Sequence, residues 1–110
     1  MSADACIAYY GLRYEVAPNE IEALERRSDP RMVAAREVGL KSFWENFAAP
    51  DMRYFLFVGT ELGVLGPEGQ SEVRIGHLDF HTVMESTTSK LRTAGLDGEP
   101  ALYLQWYPDA

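Results

Sequence analysis

The chain has 110 residues, 46% of them hydrophobic and 25% charged, the proportions of an ordinary globular protein. They exclude a disordered tail, a fibrous rod and a disulfide-stapled miniprotein, and predict one α+β domain over residues 1–110 with a core of its own. With 10 Lys+Arg against 17 Asp+Glu, a net charge of −7, the chain is poorly matched to phosphate backbones, so no nucleic-acid partner is expected.

The first element is Ala5–Val16. Its even positions, Cys6, Ala8, Tyr10, Leu12, Tyr14 and Val16, are all apolar or aromatic, while its odd positions fade from Ile7 and Tyr9 to Arg13 and Glu15. Period two with aromatic enrichment predicts a strand whose even face turns inward. Pro18-Asn19 stops it, and Asn19 with Glu22 reads as a capping box opening a helix. Asp29 and Pro30 restart that helix as N-cap and first residue. Val33, Leu40, Trp44 and Phe47 then recur along one helical face, so a two-piece helix is expected over 19–48, with Gly39 inside it and Pro50 ending it.

Met52–Val58 is apolar at both parities and predicts a strand covered on both faces. A turn-rich stretch from Gly59 to Gly69 holds a short strand around Leu62–Leu65, and Glu72–Ile75 alternates as another could. A second helix follows, with Asp79 as N-cap, Leu78 and Val83 as a hydrophobic staple, and Gly95-Leu96 as a Schellman ending. Ala101–Tyr107 closes the chain as a strand, Leu102, Leu104 and Trp106 on one face and Tyr103, Gln105 and Tyr107 on the other. The order predicts a ferredoxin-like βαββαβ two-layer sandwich, an antiparallel sheet with helices on one face.

Cys6 is the sole cysteine, so no internal disulfide forms, and it reads as a small buried hydrophobe rather than a nucleophile. Met1–Ala5 has no basic or long apolar segment and no run approaches the length of a membrane span. A cytoplasmic protein without membrane contact is expected. The glycines at 59, 63, 66 and 69 match no phosphate-loop pattern and read as turns.

His77 and His81 are the candidate metal ligands, spaced for one helix face with Asp79 between them. Were Asp79 the N-cap, however, His77 would lie outside the helix, and the H-E-x-x-H signature is absent. Ordinary surface residues are the expected reading, and neither a metal nor another cofactor is expected. The aromatic sheet face carries more weight. If the even face of the first strand meets the helices, then Tyr9, Arg13, Tyr103 and Tyr107 share the opposite one, joined by Phe55 and Phe57. Large rings facing water mark an interaction surface, and rings with an arginine among them suit an interface. The expectation is therefore a small, acidic, non-catalytic binding protein. Its partner would be itself, as a homodimer, or a basic protein, and Tyr9, Arg13, Tyr103 and Tyr107 would make the contact. The alternative is a small-ligand-binding protein or enzyme of the dimeric α/β type, with a histidine in a pocket between sheet and helices.

Overall fold

The structure, a computed structural model, describes residues 4–48 and 53–107, with the side chains of 46–48 outside that description. It is an α+β fold with a four-stranded antiparallel sheet in the order β2-β3-β1-β4. The strands are β1 (Ala5–Val16), β2 (Lys41–Ala48), β3 (Arg53–Leu65) and β4 (Ala101–Tyr107). A 3₁₀ turn (Pro18–Glu20) leads into α1 (Ile21–Glu25); α2 spans Pro30–Glu37 and α3 His77–Thr93.

β1 and β3 are the two inner strands, and both have residues buried on each face. The even face of β1 meets all three helices: Leu12 and Val16 pack with Leu24 of α1, Met32 and Ala35 of α2, and Leu91 of α3. Leu56 and Val58 of β3 complete this core from the sheet side. The buried Thr87 hydroxyl pairs with that of half-buried Thr60 at 2.6 Å, joining β3 to α3.

The expected helix over 19–48 is corrected on two counts. Its start is a 3₁₀ turn in which the Glu20 carboxylate accepts from the Ala17 N–H at 2.9 Å, so Glu20 does the capping assigned to Asn19 and Glu22. Its last third is strand β2. Gly39 adopts φ 80°, and the Gly39 and Leu40 N–H groups bond the Arg36 and Ala35 carbonyls. That is a Schellman ending, which stops α2 and turns the chain into the sheet. Trp44 then faces the helices while Phe43 faces the other way. Asp29, by contrast, caps α2 as the sequence suggests, accepting from the Arg31 N–H at 2.9 Å. It is buried and held by the Arg31 guanidinium at 3.0 Å.

β3 is one long strand rather than a strand and a separate short strand after a turn, absorbing Gly59 and Gly63, with a bulge opposite Ala8 and Tyr9. Residues 72–75 form no strand. The predicted strand start at Met52 and stop at Pro50 lie outside the described residues. At the end of α3, Gly95 (φ 72°) and Leu96 close the Schellman motif, Leu96 N–H bonding the Leu91 carbonyl at 3.0 Å.

The sheet is strongly curled. Gly11 and Gly59 face each other across β1 and β3. A Cβ on Gly11 would stand 2.2 Å from the Val58 carbonyl oxygen, so only glycine lets the two backbones approach and bend there. Beyond that bend Arg13 reaches back to Gln105, Nη1 donating to Oε1 at 3.1 Å. Tyr9 of β1 donates its hydroxyl to the Lys41 carbonyl of β2 at 2.6 Å, across the intervening β3. Even the two edge strands are joined: the Tyr107 hydroxyl of β4 hydrogen-bonds the Glu45 carboxylate of β2. In a flat sheet those strands would lie about 14 Å apart.

Candidate functional site

The four residues expected to make the contact do share one sheet face, as strand parity implies. Curling turns that face inward. Tyr9 is 1% exposed and packs edge-on against Phe43 and Phe57, with ring centroids at 5.2 and 5.6 Å. Phe57 in turn meets Tyr103 at 5.7 Å. Ile7, Tyr9, Phe55 and Phe57 thus form a second buried cluster, with Phe43, Val64, Tyr103 and Tyr107 packed on it. Arg13 lies over the Phe55 and Tyr103 rings at 4.5 and 4.9 Å, and Arg53 over Phe55 at 5.2 Å while pairing with Glu15 at 2.7 Å. The concave face is a core with a polar rim. Tyr9 therefore leaves the contact set: a partner could touch its ring only by opening the sheet. Arg13 stays exposed, while Tyr103 and Tyr107 are half-buried, and all three have partners within the chain.

Burial also sets the chemistry of these phenols. Loss of solvent, reinforced by the Glu61 carboxylate, pushes the Tyr9 hydroxyl far above its ordinary value. Loss of solvent, with the Glu45 carboxylate beside it, raises Tyr107 too.

Apart from Leu78 on α3, the large apolar side chains exposed among the described residues lie on the opposite, helix-side face of β4. Leu102, Leu104 and Trp106 point to the side where α1, α2 and α3 pack, as their parity predicts, but they are 47%, 66% and 54% exposed. The reason is reach. α3 rests on β1 and β3, through Phe80 against Tyr10 (5.9 Å) and Thr87 against Thr60. β4 lies beyond it. Cys6, which pairs with Trp106, is for the same reason half-buried rather than part of the core.

Beside this strip is a groove of about 320 Å³. Its floor is Ala8, Leu62 and Leu65, with Leu102 and Leu104 along one side. Its walls are Phe80 of α3 and Val73 and Ile75 of the segment after β3. That segment is pinned by Gln70, whose N–H bonds the Val64 carbonyl at 2.9 Å and whose side chain accepts from the Val64 N–H at 3.2 Å. Every lining side chain is apolar, and β4 from Ala101 to Tyr107 carries no charge. The alternation at 72–75 was the sequence signal for the wall: Val73 and Ile75 line the groove while Glu72 and Arg74 are exposed.

The histidines lie elsewhere. α3 starts at His77 with Gly76 as N-cap, so Asp79 sits in the first turn and His77 is inside the helix after all. Both histidines are exposed, and His81 Nε2 lies 2.8 Å from the Glu85 carboxylate on the outer surface of α3. Neither lines the groove. Among the described residues no three His, Cys, Asp or Glu gather as a metal-ligand set, and no helix is long and apolar enough to cross a membrane. Comparison with protein-family models, curated proteins and solved structures gives no match for this chain.

Proposed function

We propose that the protein is a non-catalytic interaction module that associates with copies of itself through the helix-side face of β4. One observation carries the reading: Leu102, Leu104 and Trp106 stand exposed in a row on an uncharged strand beside an apolar groove. Contiguous apolar surface of this kind on a folded chain marks an interaction site. Complete burial of a Leu or Trp side chain contributes about 1.5–3 kcal/mol. At the observed exposures the strip still has about 2.5–5 kcal/mol to gain in each copy, before the cost of association is set against it. That scale describes a weak, concentration-dependent pair. The β2-β3-β1-β4 order, with every neighbour antiparallel, further supports the ferredoxin-like reading of the topology.

The test is sedimentation velocity across a concentration series for the wild type and for Leu104→Glu, which places a carboxylate in the middle of the strip. The wild type gains mass with concentration, and the variant stays monomeric with an unchanged melting temperature. A wild type that remains monomeric throughout overturns the proposal.

A further inference from the structure

We infer that the concave face of the sheet binds the carboxylate of a small aromatic acid, with Arg13 as the group that receives it. This site lies on the face opposite the apolar strip of β4, so it stands or falls independently of the self-association proposed above. Among the described residues three arginines lie over aromatic rings: Arg13, Arg31 and Arg53. Arg31 and Arg53 each hold a carboxylate as well, Asp29 at 3.0 Å and Glu15 at 2.7 Å. Arg13 differs. Its guanidinium is set between two rings, 4.5 Å from the Phe55 centroid and 4.9 Å from that of Tyr103, and no carboxylate of the described residues pairs with it.

Three features point to a carboxylate as the ligand. The first is the state of the guanidinium. It presents five N–H donors in a fixed planar fork, and a single one, on Nη1, is used within the chain, by Gln105 Oε1 at 3.1 Å. Ordering a long cationic side chain costs entropy; here the rings and Gln105 have already ordered it, so an arriving anion meets a fork held in place. The second is charge. Two carboxylates on the same face are engaged elsewhere, Glu15 by Arg53 and Glu45 by the Tyr107 hydroxyl. Of the two guanidiniums over Phe55, Arg13 alone is therefore uncompensated, one positive charge for the one negative charge of a carboxylate, whose two oxygens match the fork. The third is the neighbouring surface. Tyr103 is half-buried: part of its ring packs on Phe57 at 5.7 Å, and the rest stays open beside Arg13. A ring attached to the carboxylate can pack there as the chain's own rings pack on one another.

The experiment titrates benzoate into the intact chain in dilute solution and follows the Arg13 Nε–H and the Gln105 side-chain amide by 15N–1H NMR. Both signals move saturably, with a dissociation constant of about 1 mM, the scale of one charge-assisted pair and one ring contact at a partly wet site. Affinity falls as salt rises. Arg13→Gln weakens binding about tenfold or more, and Arg13→Lys, which keeps the charge without the fork, weakens it severalfold; should Arg13→Gln fail to fold, Arg13→Lys carries the comparison. Arg92→Gln, on the outer surface of α3, changes nothing. Benzamide, the same ring without the charge, binds about tenfold more weakly or worse. Signals that do not move at benzoate concentrations well above that range overturn the proposal, as does binding that survives intact in the Arg13 variants. Benzamide binding as well as benzoate overturns recognition of the carboxylate, and inorganic phosphate binding more tightly than benzoate overturns the ligand class.

Discussion

Replacing Tyr9 by alanine separates a tyrosine of the core from a tyrosine of an interface. Its ring is enclosed by Phe43 and Phe57, and its hydroxyl bonds the Lys41 carbonyl. Removing a buried aromatic side chain costs about 3–5 kcal/mol, a large share of the roughly 5–15 kcal/mol that stabilises a domain. Tyr9→Phe keeps the ring packing and loses only the hydrogen bond, at about 1–2 kcal/mol. Urea unfolding followed by far-ultraviolet circular dichroism measures both, and at about 4–8 °C per kcal/mol Tyr9→Ala should melt at least about 12 °C below the wild type. Sedimentation of the folded variant should be unaltered. A loss below about 1 kcal/mol for Tyr9→Ala, together with altered sedimentation, would refute the buried reading and return Tyr9 to the contact surface. The same phenol sets an alkaline limit. Its folded pKa is raised above the ordinary 10.0 by burial, so the neutral hydroxyl's contribution is intact below pH 10 and is lost as pH climbs past it. Tyr9→Phe should flatten that decline in part, the remainder coming from Tyr14 and Tyr107, which burial raises likewise.

At the acid end, the hydrogen bond from Arg31 is the largest of the influences that hold the buried Asp29 carboxyl below its ordinary value of 3.8. Its stabilising contribution is present above that pH and disappears as pH falls through the lowered value; Arg31→Met, which leaves the carboxylate only its backbone N–H partners, should cost up to about 3 kcal/mol at neutral pH and flatten the acid arm of a stability–pH profile in part. Arg27 holds φ 56° where α1 ends, with Ser28 N–H on the Ala23 carbonyl at 2.9 Å. Since that conformation suits glycine, Arg27→Gly should raise stability by about 0.5–1 kcal/mol in thermal melts.

Strand parity was legible wherever a strand was recognised. Leu12 and Tyr9 fall on opposite faces, as do Leu104 and Tyr103, just as alternation requires. Helix endings are legible too. Val38-Gly39-Leu40 carries the same signature as Ala94-Gly95-Leu96, and both form the same motif. The spacing of Leu40 and Trp44 hid this, because four residues make roughly one helical turn and also two full pleats of a strand. Phe43, an aromatic beside Trp44 that a helical face leaves over, was the deciding clue. What no local pattern carried was the curl, which depends on Gly11 and Gly59 meeting in register across two distant strands. Nor could β4's alternation tell which of its faces would be covered, since that depends on where α3 comes to rest.

The central position of β1 bears on how the chain acquires its structure. One edge of that strand is taken by β3 and the other by β4, which follows it by some 85 residues and is the last strand among the described residues. Until β4 emerges, nascent β1 has an open backbone edge beside some of the most apolar sequence in the chain. The slow search for partners so far away in sequence thus coincides with the interval in which misassembly with neighbouring polypeptides is easiest.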